Sequence, residues 1–169
     1  MKTFTQKGLT LIELMISIVI GGIVMSIAVP SMSNFVKNDR ITSFRNSLHV
    51  DLMLARSRAV EQNLEVHVCA STDRATCDGS SFQDGWIVVA DTDNSGTITA
   101  EDQVLKTQLE IKSKITFSGG LNTITYDSRG FTPDTIGTIS VCDERGNEHG
   151  KTITISRTGR VSNQADPAC

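Results

Sequence analysis

The chain has 169 residues, a net charge of −3 and 38% hydrophobic side chains, which is enough for one domain with a hydrophobic core. This acidic balance excludes a strongly basic nucleic-acid-binding protein, because such proteins need many cations to neutralise phosphates. The three histidines are scattered, without a Ser/His/Asp arrangement or metal-ligand spacing, so the sequence predicts neither an enzyme nor a required cofactor.

An apolar run, Leu9–Val29, follows a short basic start. A helix of about 20 apolar residues crosses a hydrocarbon core, and basic flanks favour the cytoplasmic side. Glu13 lies inside this run, where a carboxylate is costly and needs a partner. The run holds no other charged residue, so we expect the partner cation to come from another chain. The α-amino group freed by cutting between Gly8 and Leu9 would be such a cation.

The segment Lys7-Gly8-Leu9-Thr10-Leu11-Ile12-Glu13-Leu14 resembles the leader and cleavage site of type IV pilins and type II secretion pseudopilins. The resemblance implies a leader, residues 1–8, that prepilin peptidase removes by cutting after Gly8. It also implies N-methylation of Leu9 and a role for Glu13 in filament assembly. Leu9 departs from the family pattern, in which phenylalanine usually stands at the first mature position.

Two other interpretations of the apolar run remain. A secretory signal peptide would use Ser26-Ile27-Ala28 as its cleavage site, although its apolar stretch normally spans only about 7–15 residues. An ordinary single-span membrane anchor explains the length of the run but not Glu13 inside it.

Beyond Pro30 an amphipathic pattern continues the helix to about residue 63. Apolar residues recur at steps of three and four, which is typical of one buried helix face: Ile41, Phe44, Leu48, Leu52, Ala55 and Ala59. Charged residues, Asp51 among them, are assigned to the other faces. The sequence therefore predicts a transmembrane or filament-core helix over 9–29 and its amphipathic continuation over 30–63.

From Leu64 the apolar period changes to two, which indicates a half-buried strand. Further strands are predicted at 85–90, 104–109, 114–117, 123–126, 138–142 and 152–156. No long helix separates them, so their sheets should be antiparallel. The predicted fold class is α+β: a long N-terminal helix packed on an antiparallel β-sheet domain, residues 64–169, which is the pilin fold that the resemblance implies.

All four cysteines follow the apolar run: Cys69, Cys77, Cys142 and Cys169. An even number of cysteines in an exported domain indicates disulfides. Three pairings exist in principle. We expect Cys69 to pair with Cys77, which closes a short polar loop, and Cys142 with Cys169, which holds the C-terminal tail. A zinc site is the alternative, but no C-x2-C spacing or histidine pair supports it.

The second half of the chain narrows the resemblance. The segments Gly85-Trp86-Ile87-Val88-Val89-Ala90-Asp91 and Ser156-Arg157-Thr158-Gly159-Arg160-Val161 resemble the GspH/FimT branch of this superfamily. The resemblance implies a minor pilin that is held in the bacterial inner membrane, with its C-terminal domain periplasmic, until it joins other pilin subunits in an extracellular type IV pilus. A minor pseudopilin of type II secretion is the alternative, and a DNA-binding minor pilin acting in DNA uptake is another.

The segment 91–102 resembles an EF-hand calcium loop in the spacing of its oxygen-bearing residues. The predicted ligands are Asp91, Asp93, Ser95, Thr97 and Asp102. Asp102 stands where such loops usually have the longer glutamate, and the flanking segments are predicted strands instead of helices. A polar hairpin turn without an ion is the alternative interpretation.

The C-terminal stretch Gly159-Arg160-Val161-Ser162 resembles the Gly-Arg-x-Arg stretch through which some FimT-like pilins bind DNA, but its second arginine is missing. Lys151, Arg157 and Arg160 are the candidate phosphate contacts. Nearby carboxylates offset these cations, so we expect any DNA binding to be weak.

Overall fold

The computed structural model describes Gly8, residues 10–146 and 149–164, and Cys169, without the side chains at 29 and 30. The chain divides into two compact units, of which the first ends at Asn38 and the second is Asp39–Cys169. The α-helix α1 runs over Leu11–Gln62. It ends where Asn63 adopts a positive φ of 55°, a left-handed conformation that asparagine tolerates better than most residues.

In the described part of the chain, eight strands follow α1 and form two four-stranded sheets. Their bounds are β1 Glu65–Ala70, β2 Trp86–Asp91, β3 Gln103–Gln108, β4 Ile115–Ser118, β5 Thr123–Tyr126, β6 Gly137–Asp143, β7 Lys151–Ile155 and β8 Val161–Gln164. One sheet has the order β3-β2-β1-β5 and the other β4-β6-β7-β8, and every neighbouring pair is antiparallel. The α+β fold class and the antiparallel sheets are confirmed.

Strands β1–β7 correspond to the seven predicted strands, whereas β8 was not predicted. Its sequence, Val-Ser-Asn-Gln, lacks apolar alternation. The strand is formed because β7 offers it a free backbone edge, with Ile155 opposite Val161 and Thr152 opposite Gln164. The Thr152 hydroxyl also donates to the Gln164 carbonyl at 2.9 Å.

The predicted apolar stripe of α1 is confirmed as core. Its fully buried members are Ile41, Leu48, Leu52, Ala55 and Ala59, and Phe44 packs against the same cluster. This cluster includes side chains from both sheets, with Trp86 and Tyr126 among the largest. Burial of such side chains contributes roughly 1.5–3 kcal/mol each, so the stripe accounts for much of the attachment of residues 39–62 to the sheets.

Asp51 corrects the predicted pattern, because it is fully buried and does not face solvent. The Trp86 indole N–H donates to its carboxylate at 2.8 Å, and the Lys106 ammonium forms an ion pair with it. A buried carboxylate is tolerated where a donor and an opposite charge compensate its lost hydration. Asp51 thus ties α1 to β2 and β3.

Strands β1 and β2 are buried on both faces. The alternation in the β1 sequence predicted that β1 would be buried on one face only. On the face away from α1, Cys69, Ile87 and Val89 form a second apolar cluster. Cys77 and Ile98 pack against this cluster from the loops after β1 and β2. The loops therefore act as a cover over the centre of this sheet.

Both expected disulfides are present. Cys69 is joined to Cys77 with a Cα–Cα distance of 5.5 Å, and Cys142 is joined to Cys169 at 5.9 Å. The first bridge fixes the loop over the second apolar cluster. The second fixes the C-terminal residue to β6.

Candidate functional site

The N-terminal unit exposes apolar side chains over its described length. Leu11, for example, is 77% exposed and Met25 69%, and α1 is the one helix among the described residues that is long and apolar enough to cross a membrane. Apolar surface of this extent is unfavourable in water and requires lipid or other protein surfaces.

Gly8 is exposed, and a Cβ added to it would meet no atom within 4 Å. Its φ also lies outside the region that favours glycine. No contact of the described residues therefore explains a glycine at this position. The rest of the predicted leader, residues 1–7, and Leu9, the predicted methylation site, lie outside the described residues.

Glu13 has a polar neighbour that the sequence analysis missed, Thr10. The Thr10 backbone N–H and hydroxyl donate to Glu13 Oε2 at 2.9 and 2.8 Å, and the Glu13 N–H donates back to the Thr10 hydroxyl at 3.3 Å. This reciprocal arrangement is a capping box at the first turn of α1, and the Thr-x-x-Glu spacing is its sequence signature. The capping bonds leave carboxylate lone pairs for a further partner.

The loop between β2 and β3 brings three of the predicted calcium ligands together. Asp91, Asp93 and Asp102 each offer a carboxylate oxygen, and these oxygens lie within 4.8 Å of one another. Asp91 and Asp102 are buried and Asp93 is exposed. Three carboxylates at this separation repel one another, and a hard divalent cation is the species that relieves such repulsion.

Ser95 and Thr97, the other predicted calcium ligands, contact each other in the structure. The Ser95 hydroxyl donates to the Thr97 carbonyl oxygen at 2.9 Å, so both oxygens lie within the same turn. An ion that used both would replace this hydrogen bond. The loop needs left-handed backbone at Gly96, whose φ is 74°.

Backbone N–H groups hold the carboxylates of this loop. Ser95 and Gly96 donate to Asp91 at 3.1 and 2.8 Å, and Thr92 and Thr99 donate to Asp102 at 3.0 and 2.8 Å. The Thr99 N–H is the largest cause of the lowered pKa of Asp102, because it favours the charged form. The hydrogen bonds of Ser95 lower the pKa of Asp93 in the same way.

Asp91 also belongs to a second group of ligand-type side chains, Glu65, His67 and Asp91. Glu65 lies directly opposite Asp91 in the β1–β2 register, and His67 points to the same face as Glu65. Their ligand atoms lie within 4.8 Å of one another. Burial lowers the pKa of His67 and outweighs the raising effects of Glu65, Asp91 and Asp102. The alternation of β1 places His67 on the face opposite the apolar one. It does not predict that this opposite face is buried as well.

The predicted DNA contacts are only partly brought together. Arg157 and Arg160 are exposed in the turn between β7 and β8, whereas Lys151 lies at the far end of β7. Lys151 and Arg157 are six positions apart, which corresponds to about 20 Å of extended chain. Arg56 of α1 does reach the turn, since its guanidinium donates to the Thr158 carbonyl at 3.0 Å.

Comparison with known proteins identifies the family. The model of the family described as Type II transport protein GspH matches residues 45–159, and that of the prokaryotic N-terminal methylation motif matches residues 4–29. No curated protein matches the chain.

Solved structures of two proteins are similar in fold. The type IV minor pilin FimU of Pseudomonas aeruginosa is 22% identical with a TM-score of 0.61, over 77% of this chain and 92% of that chain. The minor pseudopilin EpsH from the type II secretion system of Vibrio cholerae is 13% identical with a TM-score of 0.54, over 78% of this chain and 98% of that chain. Since the GspH family matches most of the sequence and the methylation motif precedes it, the chain belongs to the GspH family of minor pilins and pseudopilins.

Proposed function

We propose that the chain is a minor pilin of a type IV pilus. Prepilin peptidase cuts after Gly8, Leu9 is N-methylated, and the apolar helix holds the protein in the bacterial inner membrane with the C-terminal unit in the periplasm. The subunit then joins other pilin subunits in the filament and contributes to its assembly. The type II secretion pseudopilus is the alternative machine.

The observation that carries this proposal is the exposed apolar surface of α1 beside the methylation motif. Over residues 11–36 Glu13 is the only charged side chain, and the large apolar side chains around it are exposed. A hydrocarbon core accommodates this surface before assembly, and neighbouring apolar helices cover it afterwards. The helix therefore passes from lipid into a filament without exposing its apolar surface to water.

The choice of the pilus over the secretion system rests on the C-terminal region. The bridge from Cys142 to Cys169 and the Thr158-Gly159-Arg160-Val161 turn are the features that resemble FimT-like pilins. Deletion of the gene should reduce surface pili and leave type II secretion of exoproteins unchanged. Loss of secretion with normal piliation would assign the chain to the pseudopilus.

In this proposal Glu13 guides filament assembly, because its carboxylate forms an ion pair with the N-terminal amine of a neighbouring subunit. Glu13→Val should leave the protein in the membrane, since it removes a carboxylate from the apolar run, but should reduce its incorporation into sheared filaments at least tenfold. Immunoblots of membrane and filament fractions measure both quantities.

Thr10→Val is the matched control for this experiment, because it removes the hydroxyl of the capping box and keeps the charge of Glu13. If the amine pairing drives assembly, Thr10→Val assembles nearly as well as the parent chain. If assembly instead depends on the hydroxyl bonds of the capping box, both variants fail equally, and the pairing mechanism is wrong.

We further propose that Asp91, Asp93 and Asp102 bind calcium, with oxygens of Ser95 and Thr97. The convergence of the three carboxylates supports this site. Calcium at about 100 times its dissociation constant would stabilise the folded chain by about 2.7 kcal/mol and raise its melting temperature. Asp93→Ala should abolish the rise, because it removes one of the three carboxylates. Asp93 is exposed, so its loss leaves the core intact. No rise at millimolar calcium would leave the ion-free hairpin as the correct description.

Weak DNA binding is a second candidate function, favoured by the position of Arg56 beside the turn that carries Arg157 and Arg160. Three clustered cations neutralise few phosphates, so we expect non-specific affinity, about 1–100 µM at physiological salt. Ser162→Arg should strengthen binding by adding a cation, and Arg157→Ala with Arg160→Ala should remove most of it. Electrophoretic mobility shifts at two salt concentrations test this prediction. Tight DNA binding that is the same in the parent chain and in both sets of variants would refute the assigned surface.

A further inference from the structure

A buried histidine with an unmatched ring nitrogen lies on β1, beside β2, where these two strands form the centre of the first sheet. His67 is 7% exposed, and among the described residues its Nε2 atom has no hydrogen-bond partner. The nearest acidic oxygen, Glu65 Oε2, is 3.9 Å away, which is beyond hydrogen-bond distance. A buried polar atom left without a partner costs about 1–3 kcal/mol, so a ligand on this nitrogen would recover that free energy.

The other ring nitrogen of His67 has a hydrogen-bond partner that fits either neutral tautomer, because a hydroxyl can donate or accept. Nδ1 lies 3.0 Å from the Thr125 hydroxyl on β5. When Nδ1 carries the proton and donates it to Thr125, Nε2 presents a lone pair towards Glu65 and Asp91. Metal-binding histidines are commonly oriented by such a hydrogen bond from the nitrogen that does not bind the metal.

We propose that Glu65, His67 and Asp91 form a site for a divalent transition-metal ion of the zinc class. The three side chains come from neighbouring positions of β1 and β2, and their ligand atoms lie within 4.8 Å of one another. Solvent completes the coordination on the side of Glu65, whose side chain is 47% exposed.

The donor set decides the class of metal. Imidazole nitrogen with two carboxylates suits zinc and its neighbours, whereas calcium prefers oxygen ligands alone. Tetrahedral zinc with bonds of about 2.0–2.1 Å holds its ligand atoms about 3.3 Å apart. Glu65 Oε2 must therefore approach Nε2 by about 0.6 Å from its present 3.9 Å, which its exposed side chain permits.

Asp91 is held in place beside these two ligands, within the same 4.8 Å. The N–H groups of Ser95 and Gly96 each donate to one of its carboxylate oxygens, and each oxygen keeps a second lone pair. The ion would link β1 to β2 at the point where the acidic loop begins. The site differs from the calcium site in requiring His67 and not requiring Asp93.

The test uses the full-length chain without a histidine tag, in detergent and calcium-free buffer, titrated with zinc against a chromophoric chelator. We expect one zinc ion per chain. All four cysteines are in disulfides, so thiols do not compete for zinc. His67→Gln and Glu65→Gln should each weaken zinc binding at least tenfold. Glu65 is partly exposed, so its variant decides the matter if His67→Gln does not fold.

Two matched controls identify the site. His49→Gln removes a histidine that contacts Asn163 elsewhere in the fold, and it should leave zinc affinity unchanged. Asp93→Ala should abolish the calcium response and leave zinc binding unchanged. Absence of stoichiometric zinc binding by the parent chain, or zinc binding that survives both Glu65→Gln and His67→Gln, would overturn the proposal.

Discussion

At the scale of single residues, Asp51 connects three elements through two different interactions. Its carboxylate accepts the indole N–H of Trp86 at 2.8 Å and pairs with Lys106, whose side chain is 40% exposed. The partly exposed lysine can turn to water if its partner is lost, whereas the Trp86 N–H is buried and cannot. The indole hydrogen bond is therefore the more sensitive of the two.

Asp51→Ala should lower the free energy of unfolding by about 2–4 kcal/mol, because it leaves the Trp86 N–H unsatisfied and the ion pair broken. Asp51→Asn should cost less, since its amide oxygen still accepts the indole proton. Denaturant unfolding followed by the fluorescence of Trp86, the single tryptophan, measures both values.

Asp39→Ala is the control for this comparison, because Asp39 is an exposed aspartate on the same helix. Its effect should stay within about 0.5 kcal/mol. Equal stabilities of Asp51→Ala and the parent chain would show that the buried hydrogen bond contributes nothing net.

Asp102 gives a pH dependence whose sign follows from its lowered pKa. A carboxyl with a folded-state pKa below its unfolded value of about 3.9 contributes stability that is present above that value and is lost as the pH falls through the folded pKa. The stability difference between the parent chain and Asp102→Asn should thus be constant above about pH 5 and shrink below about pH 4. Denaturation midpoints measured in chelator from neutral to acid pH test this, and a difference that does not vary with pH would contradict it.

The sequence predicts the apolar residues by which α1 enters the core, but not the charged residue that is buried among them. Ile41, Leu48 and Ala55 follow the three-and-four spacing of a helix face, so their burial can be predicted locally. Asp51 lies three residues after Leu48 on that same face, yet its charge assigns it to solvent. Its partners, Trp86 and Lys106, become visible only when the strands are placed, because the compensation is not local in sequence.

At the scale of elements, the C-terminal bridge joins Cys169 to β6 across two further strands. The bridge between Cys142 and Cys169 closes a chain segment with a sequence separation of 27 that contains β7 and β8. β8 is an edge strand paired only with β7 among the described strands. Loss of the bridge should therefore affect β8 before the rest of the sheet.

Cys142→Ser with Cys169→Ser should lower the free energy of unfolding by about 3–4 kcal/mol on the chain-entropy account of a loop this long. Hydrogen exchange should accelerate at Val161–Gln164 more than in the central strands, because local opening of an edge strand needs less free energy than global unfolding. Uniform acceleration across both sheets would instead show that the bridge stabilises the domain as a whole.

Strand existence could be predicted where alternation is strong, as in β1, and not where pairing alone makes the strand, as in β8. The cover over Cys69 and Val89 could not be predicted either, since Cys77 and Ile98 reach it through loops whose paths have no periodic signal. His67 lies on the same face of β1 as Cys69 and is buried there. The three carboxylates of the acidic loop were predicted from spacing, because turn geometry is largely local.

At the scale of the whole molecule, the two units have opposite surface characters. Residues 11–36 expose apolar side chains with one carboxylate, whereas Asp39–Cys169 has its own core and two bridges. The first surface needs lipid or other apolar helices, whereas the second unit buries an apolar core of its own. A membrane-held subunit that later enters a filament satisfies both requirements.

Mass spectrometry of the chain recovered from sheared filaments of its native host tests this account most directly. We predict a mature chain that begins at Leu9 with one methyl group on its amine, and a filament fraction that loses the chain when Gly8 is replaced by glutamate. A mature terminus near Val29, or an unprocessed chain found only in the membrane fraction, would contradict the assignment as a pilus subunit.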